Sequence, residues 1–226
     1  MPEAANRILV IACSVFREQM ESLANGSHSF IYLDQILHRT PENLREEIQK
    51  VIAGSQEYSV LLLGYGLCSR AMVGLRAGAH QIMVIPKMDD CIGIFLGART
   101  DYYRELRNHP GTFYFTKGWV ETAKDPLKEY HRCVAEYGEE MALWAARETL
   151  KHYQRAALIK TCGQDLETSR RYVQEFARFF NLHYAEIDGS PDYLRKLLFG
   201  PWDGDFVVVE GGIPVGEELF KELFRR

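Results

Sequence analysis

The chain has 226 residues, 46% hydrophobic and 26% charged, with a formal net charge of -4 at pH 7. That length builds one large domain or two lobes around a sizeable core. The charge balance excludes a general basic field for nucleic acid or an anionic membrane, and no apolar run approaches the roughly 20 residues needed to span a bilayer.

The start, "MPEAANRILVIAC", lacks the long apolar core and cleavage pattern of a signal peptide, so a cytoplasmic location is expected. "RILVIAC" (Arg7 to Cys13) reads as a fully buried strand, followed by a helix with Phe16, Met20 and Leu23 on one face. His28 to Leu37 reads as a second strand. "TPENLREEIQKVIAGS" predicts a helix, with Thr40 before it, Pro41 in its first position and an apolar face of Leu44, Ile48, Val51 and Ile52. "YSVLLLGYG" is a third strand, and "CSRAMVGLRAG" predicts a short helix ended by Gly78. "QIMVIPK" is a fourth strand, and "DDCIGIFLGARTDYYRELRNH" predicts one helix capped by Asp89 or Asp90.

Residues 125–154 are rich in charge and alanine at helical spacing and predict a helical connector. It separates an N-terminal α/β lobe (1–124) from a smaller C-terminal α/β lobe (155–226) of alternating strands and helices, ending in the helix "EELFKELFRR". The alternation predicts mostly parallel sheets with helices on both faces, and the paired "ILVIAC" and "ALIKTC" hint at two similar lobes.

The five cysteines do not form a secreted disulfide framework. Cys13, Cys68, Cys91 and Cys162 each fall at or just past the carboxyl end of a predicted strand, where open parallel sheets bind ligands. Each also precedes or opens an expected helix, whose dipole would favour thiolate. Any one of them alone is more readily a small buried packing residue than a functional one; their joint placement points to a site. Cys133 lies within a predicted helix and is assigned to packing. Three thiolates with an open position suit an iron–sulfur cluster or zinc, with Cys13, Cys68 and Cys91 as ligands and Cys162 joining if the lobes face each other.

Gly64 and Gly66 permit a sharp turn and a close approach to something bound. Tyr65, Arg70, Asp89 and Asp90 complete a candidate pocket for substrate or cofactor, with packing, exposed ion pairing and helix capping as their ordinary roles. Glu210 ends a strand and is placed at the same sheet edge. The histidines form no H-x-x-x-H or H-E-x-x-H pattern, and there is no P-loop, no G-x-S-x-G elbow and no D-x-H-x-x-G corrinoid signature. Two rival readings remain: a metal-free thiol enzyme with Cys68 or Cys91 as nucleophile, and a non-catalytic binding or carrier protein for a small ligand.

The stretches "LVIACSVFREQM", "LLLGYGLCSRAMVGLRA", "VIPKMDDCIGIFLGARTDYY" and "PGTFYFTKGWVE", and more loosely "WDGDFVVVEGG", resemble domain-of-unknown-function family 1638 of anaerobic bacteria and archaea. The resemblance implies no established activity. It implies that Cys13, Cys68 and Cys91 are motif cysteines. It also implies a setting in anaerobic one-carbon or corrinoid-linked methyl metabolism, with corrinoid or methyltransferase proteins as partners beside a small-molecule ligand.

Overall fold

A computed structural model describes residues 7–161 and 165–224. In chain order the elements are β1 (Ile8–Cys13), α1 (Arg17–Ala24), β2 (Ser29–Leu33), α2 (Pro41–Ala53), β3 (Val60–Gly64), β4 (Ile82–Pro86), α3 (Cys91–Leu96), α4 (Arg99–Asn108), β5 (Thr112–Phe115), α5 (Lys117–Thr122), α6 (Pro126–Tyr137), α7 (Glu139–Leu150), β6 (Arg155–Lys160), α8 (Glu167–Phe179), β7 (His183–Asp188), α9 (Asp192–Phe199) and β8 (Phe206–Glu210). The expected α/β class holds: there is a five-stranded, mostly parallel sheet and a three-stranded parallel one, flanked by helices. The chain divides into two compact units, the first running to Arg99 and resuming at Ser190, the second spanning Thr100–Gly189. The helices α6 and α7 lie within the second unit and pack on each other.

In the first unit the strand order is β2-β1-β3-β4-β8. β1 and β3 are central and almost wholly buried, as continuous apolar runs in a sheet covered on both faces must be. β2 is the half-exposed edge. β1, β2, β3 and β4 run parallel, whereas β8 runs antiparallel to β4 and sets Glu210 opposite Ile82, where β4 begins. Glu210 therefore lies at the far end of the sheet from the cysteines, which corrects the expectation that it shares their edge.

Local signals explain most boundaries. α2 starts at Pro41 and buries Leu44, Ile48 and Ile52, although Thr40 makes no side-chain capping bond. The second strand stops at Leu33 because Asp34 caps a 3-10 turn, its carboxylate accepting from the Ile36 N–H at 2.9 Å. The single helix expected after β4 is two, broken at Gly97. That glycine has φ +86, and a side chain there would meet Ser190 Cβ at 2.4 Å. The final segment Glu217–Phe224 is a 3-10 helix rather than an α-helix.

In the second unit β5-β6-β7 pack Phe115, Ala156 and Leu158 against Val173 and Phe176 of α8 and Leu127 of α6. Asp125 ties this core together. Its side chain is fully enclosed, yet it accepts from the Leu127 and Lys128 N–H groups (3.0 and 3.2 Å) and from the Tyr172 hydroxyl (2.7 and 2.8 Å to its two oxygens). Asp125→Ala leaves three donors unmet and should lower unfolding free energy by about 3 kcal/mol, read from urea denaturation. A change below about 0.5 kcal/mol would contradict that role.

Candidate functional site

Cys13 is the last residue of β1, Cys68 follows β3 by four residues, and Cys91 is the first residue of α3. In the order β2-β1-β3-β4 the chain turns one way from β1 and the other way from β3. The crevice outside the carboxyl ends of β1 and β3 is thus the switch point where open sheets take ligands. Cys13 stands at that point.

Backbone contacts bring the other two loops to it. Beyond the strands, the Leu67 N–H donates to Met88 O at 2.7 Å and the Cys68 N–H to Asp89 O at 2.9 Å. The two loops can lie this close only because Gly66 has no side chain: a Cβ there would sit 2.7 Å from Met88 O and 2.9 Å from both N and Cα of Asp90. Gly64 does the same on the sheet itself, where a Cβ would fall 2.5 Å from Ala12 Cβ and 2.7 Å from Met20 Cε. The glycines do make room, as expected, but what enters is the chain's own backbone and core. Phe16, just after Cys13, stacks on Phe95 of α3 with ring centroids 4.3 Å apart and 18° between planes, pinning the Cys13 and Cys91 segments together.

The short helix expected after Cys68 is absent. Cys68, Ser69 and Arg70 have φ of 45°, 54° and 70°, three successive left-handed residues without a glycine. Such conformations cost about 1–2 kcal/mol each and persist only where surroundings impose them. Here the surroundings are the two backbone bonds to Met88 and Asp89, plus the turn bond from the Ala71 N–H to Cys68 O at 3.1 Å. Cys68 therefore has no helix dipole behind it. Among the described cysteines only Cys91 begins an α-helix, and Asp90 caps it by accepting from the Ile92 N–H at 2.9 Å.

The electrostatics overturn the thiolate expectation. Burial pushes the Cys13 thiol up to about 11, with the charge of Asp34 adding to it and hydrogen bonding to the Val15 backbone working against it. Burial likewise holds Cys68 high, reinforced by Asp90 and Cys13. Cys91 is partly exposed as a residue, but burial of its sulfur raises it well above the ordinary value, and Asp90, Cys68 and Cys13 raise it further. Each thiol thus feels burial and one carboxylate, Asp34 at Cys13 and Asp90 at the other two, with Cys13 acting on Cys68 and both acting on Cys91, so all three are neutral thiols at pH 7.

Tyr65 belongs to the same neighbourhood. Its side chain is buried and its hydroxyl has no hydrogen-bond partner among the described residues. His38, a lone histidine in the sequence, packs its ring against Tyr65 at 5.8 Å between centroids. Its Nε2 is buried with no hydrogen-bond partner among the described residues, and desolvation lowers its pKa, so the ring is neutral at pH 7. Arg70 points away into solvent and pairs with Glu217. Asp89 contributes its backbone carbonyl to the loop pairing. Cys133 lies half-buried on α6 in the second unit, with Arg132 Nη2 3.4 Å from its sulfur. Cys162 lies outside the described residues.

Among the described residues no three His, Cys, Asp or Glu side chains stand grouped as a ready-made metal site. The donor chemistry of the trio suits a soft metal; the arrangement is that of protonated thiols close enough to repel one another if ionised.

Fold and site together describe an open-sheet α/β protein with thiols around its switch point. The chain belongs to the family described as protein of unknown function DUF1638, whose model matches residues 32–198. That span includes Cys68 and Cys91 and begins after Cys13. No curated protein and no solved structure matches the chain. No helix among the described residues is long and apolar enough to cross a membrane.

Proposed function

We propose that the first unit is a thiolate metal-binding module, with Cys13, Cys68 and Cys91 as protein ligands to an iron–sulfur cluster or to zinc. The observation that carries this reading is the electrostatic one. Three thiols with buried sulfurs lie at one strand-end crevice, where Asp34 raises the proton affinity of Cys13, and Asp90 and Cys13 raise that of Cys68 and Cys91. Such a set resists becoming anionic alone and is relieved by a cation. Metal uptake would then release the thiol protons to solvent and turn the sulfurs toward a common centre. When bound, the metal would supply a Lewis-acidic or redox-active position for a small substrate. A setting in anaerobic one-carbon or corrinoid-linked methyl metabolism is part of the proposal and is supported by the family resemblance. The absence of a D-x-H-x-x-G signature favours corrinoid contact through a partner protein.

A metal-free nucleophile is the weaker reading. An attacking cysteine needs a lowered pKa or a nearby base, and burial moves all three thiols the other way.

Protein purified without oxygen should carry stoichiometric iron or zinc by elemental analysis, with a sulfur-to-iron absorption band if the metal is iron. Serine at position 13, 68 or 91 should remove most of the metal, while Cys133→Ser should keep it. Absence of stoichiometric metal, with the three cysteines recovered as free thiols on unfolding, overturns the proposal.

A further inference from the structure

Helix α7 hides its small residues and shows its large ones. It buries Ala142, Ala146 and Leu150, while Trp144 is 63% exposed and Met141 56%. Trp144 stands two positions from both Ala142 and Ala146, which at 3.6 residues per turn puts it on the side of the helix opposite the core. Met141 lies three residues before it on that same outward face. Tyr137, two residues before α7 begins, adds a ring that is 59% exposed. Lysine or glutamate would hold such a face in water and suit a helix better than tryptophan does. Large apolar side chains held out together mark a surface that another surface covers.

The charges beside this stripe are complementary to the stripe of a second copy. Glu140 and Arg147 are both exposed and flank Met141 and Trp144 along one side of the helix, one before them and one after. They lie two turns apart, about 10 Å, too far to pair with each other. Neither has an ion-pair partner among the described residues. Other charges of the α6 and α7 segments are matched, Arg132 with Glu129 and Glu136, and Lys151 with Glu148. A second α7 laid antiparallel on the first, with Met141 of each against Trp144 of the other, brings Glu140 of each copy beside Arg147 of the other. The pairing is two-fold symmetric, so each contact is made twice and the pair closes on itself. A parallel pair would instead set Glu140 against Glu140 and Arg147 against Arg147. We infer that the protein binds a second copy of itself through α7, with Trp144 and Met141 as the buried centre and two Glu140–Arg147 pairs at the rim fixing the antiparallel sense. The surface lies within the second unit and owes nothing to the metal-binding reading.

The test reads the mass of the full chain in solution by analytical ultracentrifugation, at concentrations up to about 100 µM, where a micromolar dimer is mostly formed. Wild type should approach twice the 26.0 kDa of one chain. Trp144→Ala should weaken the dimer at least about ten-fold. Glu140→Arg and Arg147→Glu should each weaken it about ten-fold, because each turns two attractions into two repulsions. The double exchange Glu140→Arg with Arg147→Glu should restore it to within about three-fold of wild type, and it keeps the test readable should Trp144→Ala disturb the fold. Wild type that stays at the mass of one chain overturns the inference and leaves the face to a different protein. A dimer that Trp144→Ala leaves intact is built on another surface and overturns it too. Charge reversals whose effects add instead of cancelling overturn the antiparallel pairing.

Discussion

Gly66→Ala is expected to destabilise the protein by about 3 kcal/mol and to open the cysteine site. The added methyl would lie 2.7 Å from the Met88 carbonyl oxygen and 2.9 Å from both N and Cα of Asp90. All three are main-chain atoms, so no side chain can swing aside. The relief available is to separate the loop before Cys68 from the loop before Cys91. That would break the bonds from Leu67 N–H to Met88 O and from Cys68 N–H to Asp89 O, which hold Cys68 in its left-handed conformation. Urea denaturation should show the loss of stability. Under native conditions a thiol reagent should react faster with Cys68 and Cys91 than in wild type. Gly204→Ala is the control. A Cβ there meets nothing within 4 Å, and its stability should stay within about 1 kcal/mol of wild type. A Gly66→Ala protein as stable and as slowly labelled as wild type would show that the two loops are not held together as described.

The same loops mark where reading the chain alone succeeds and where it stops. "ILVIAC" and "VLLLG" are short, continuous apolar runs, and a parallel sheet covered on both faces accepts nothing else, so β1, β3 and the strand-end placement of Cys13 and Cys68 follow from pattern. Pro41 and the apolar face Leu44, Ile48 and Ile52 set α2 for equally local reasons. The turn at Cys68 does not follow. Nothing in "CSR" asks for left-handed backbone; it is imposed by carbonyls some twenty residues away in sequence, and helical propensity loses to those two bonds. Strand direction is also silent in hydropathy: "FVVVE" fits a parallel or an antiparallel partner equally well, and β8 takes the antiparallel one. The ionisation of the cysteines is hidden from the sequence for a related reason. A helix start can be read from local sequence, but depth of burial, which dominates here, is a property of the whole unit. His38 left no signal at all, since a lone histidine gains meaning only from the ring that the fold sets against it.

The metal-free protein should lose stability as pH rises from about 9 to about 11, and Cys13 should account for a defined part of the loss. The sign follows from proton counting. Below pH 9 the Cys13 thiol is protonated in folded and unfolded chains alike, and stability does not depend on it. Between its ordinary value of 9.0 and its folded value of about 11, the unfolded chain has released this proton and the folded one has not. Unfolding then becomes more favourable with each step in pH, by about 3 kcal/mol across the interval. Lysines and tyrosines ionise in the same range, so the quantity to measure is the difference between wild type and Cys13→Ala in urea midpoint at each pH. That difference should be constant up to pH 9 and should then move against wild type. A thiol with a depressed pKa, as a nucleophile requires, would give the opposite result: flat above pH 9, with wild type losing ground toward acid. Loading the site with metal should abolish the alkaline slope, because the sulfur has already surrendered its proton to bind. The slope in metal-free protein, its disappearance on loading and its absence in Cys13→Ala together separate a buried ligand set from a reactive cysteine, without knowledge of the substrate.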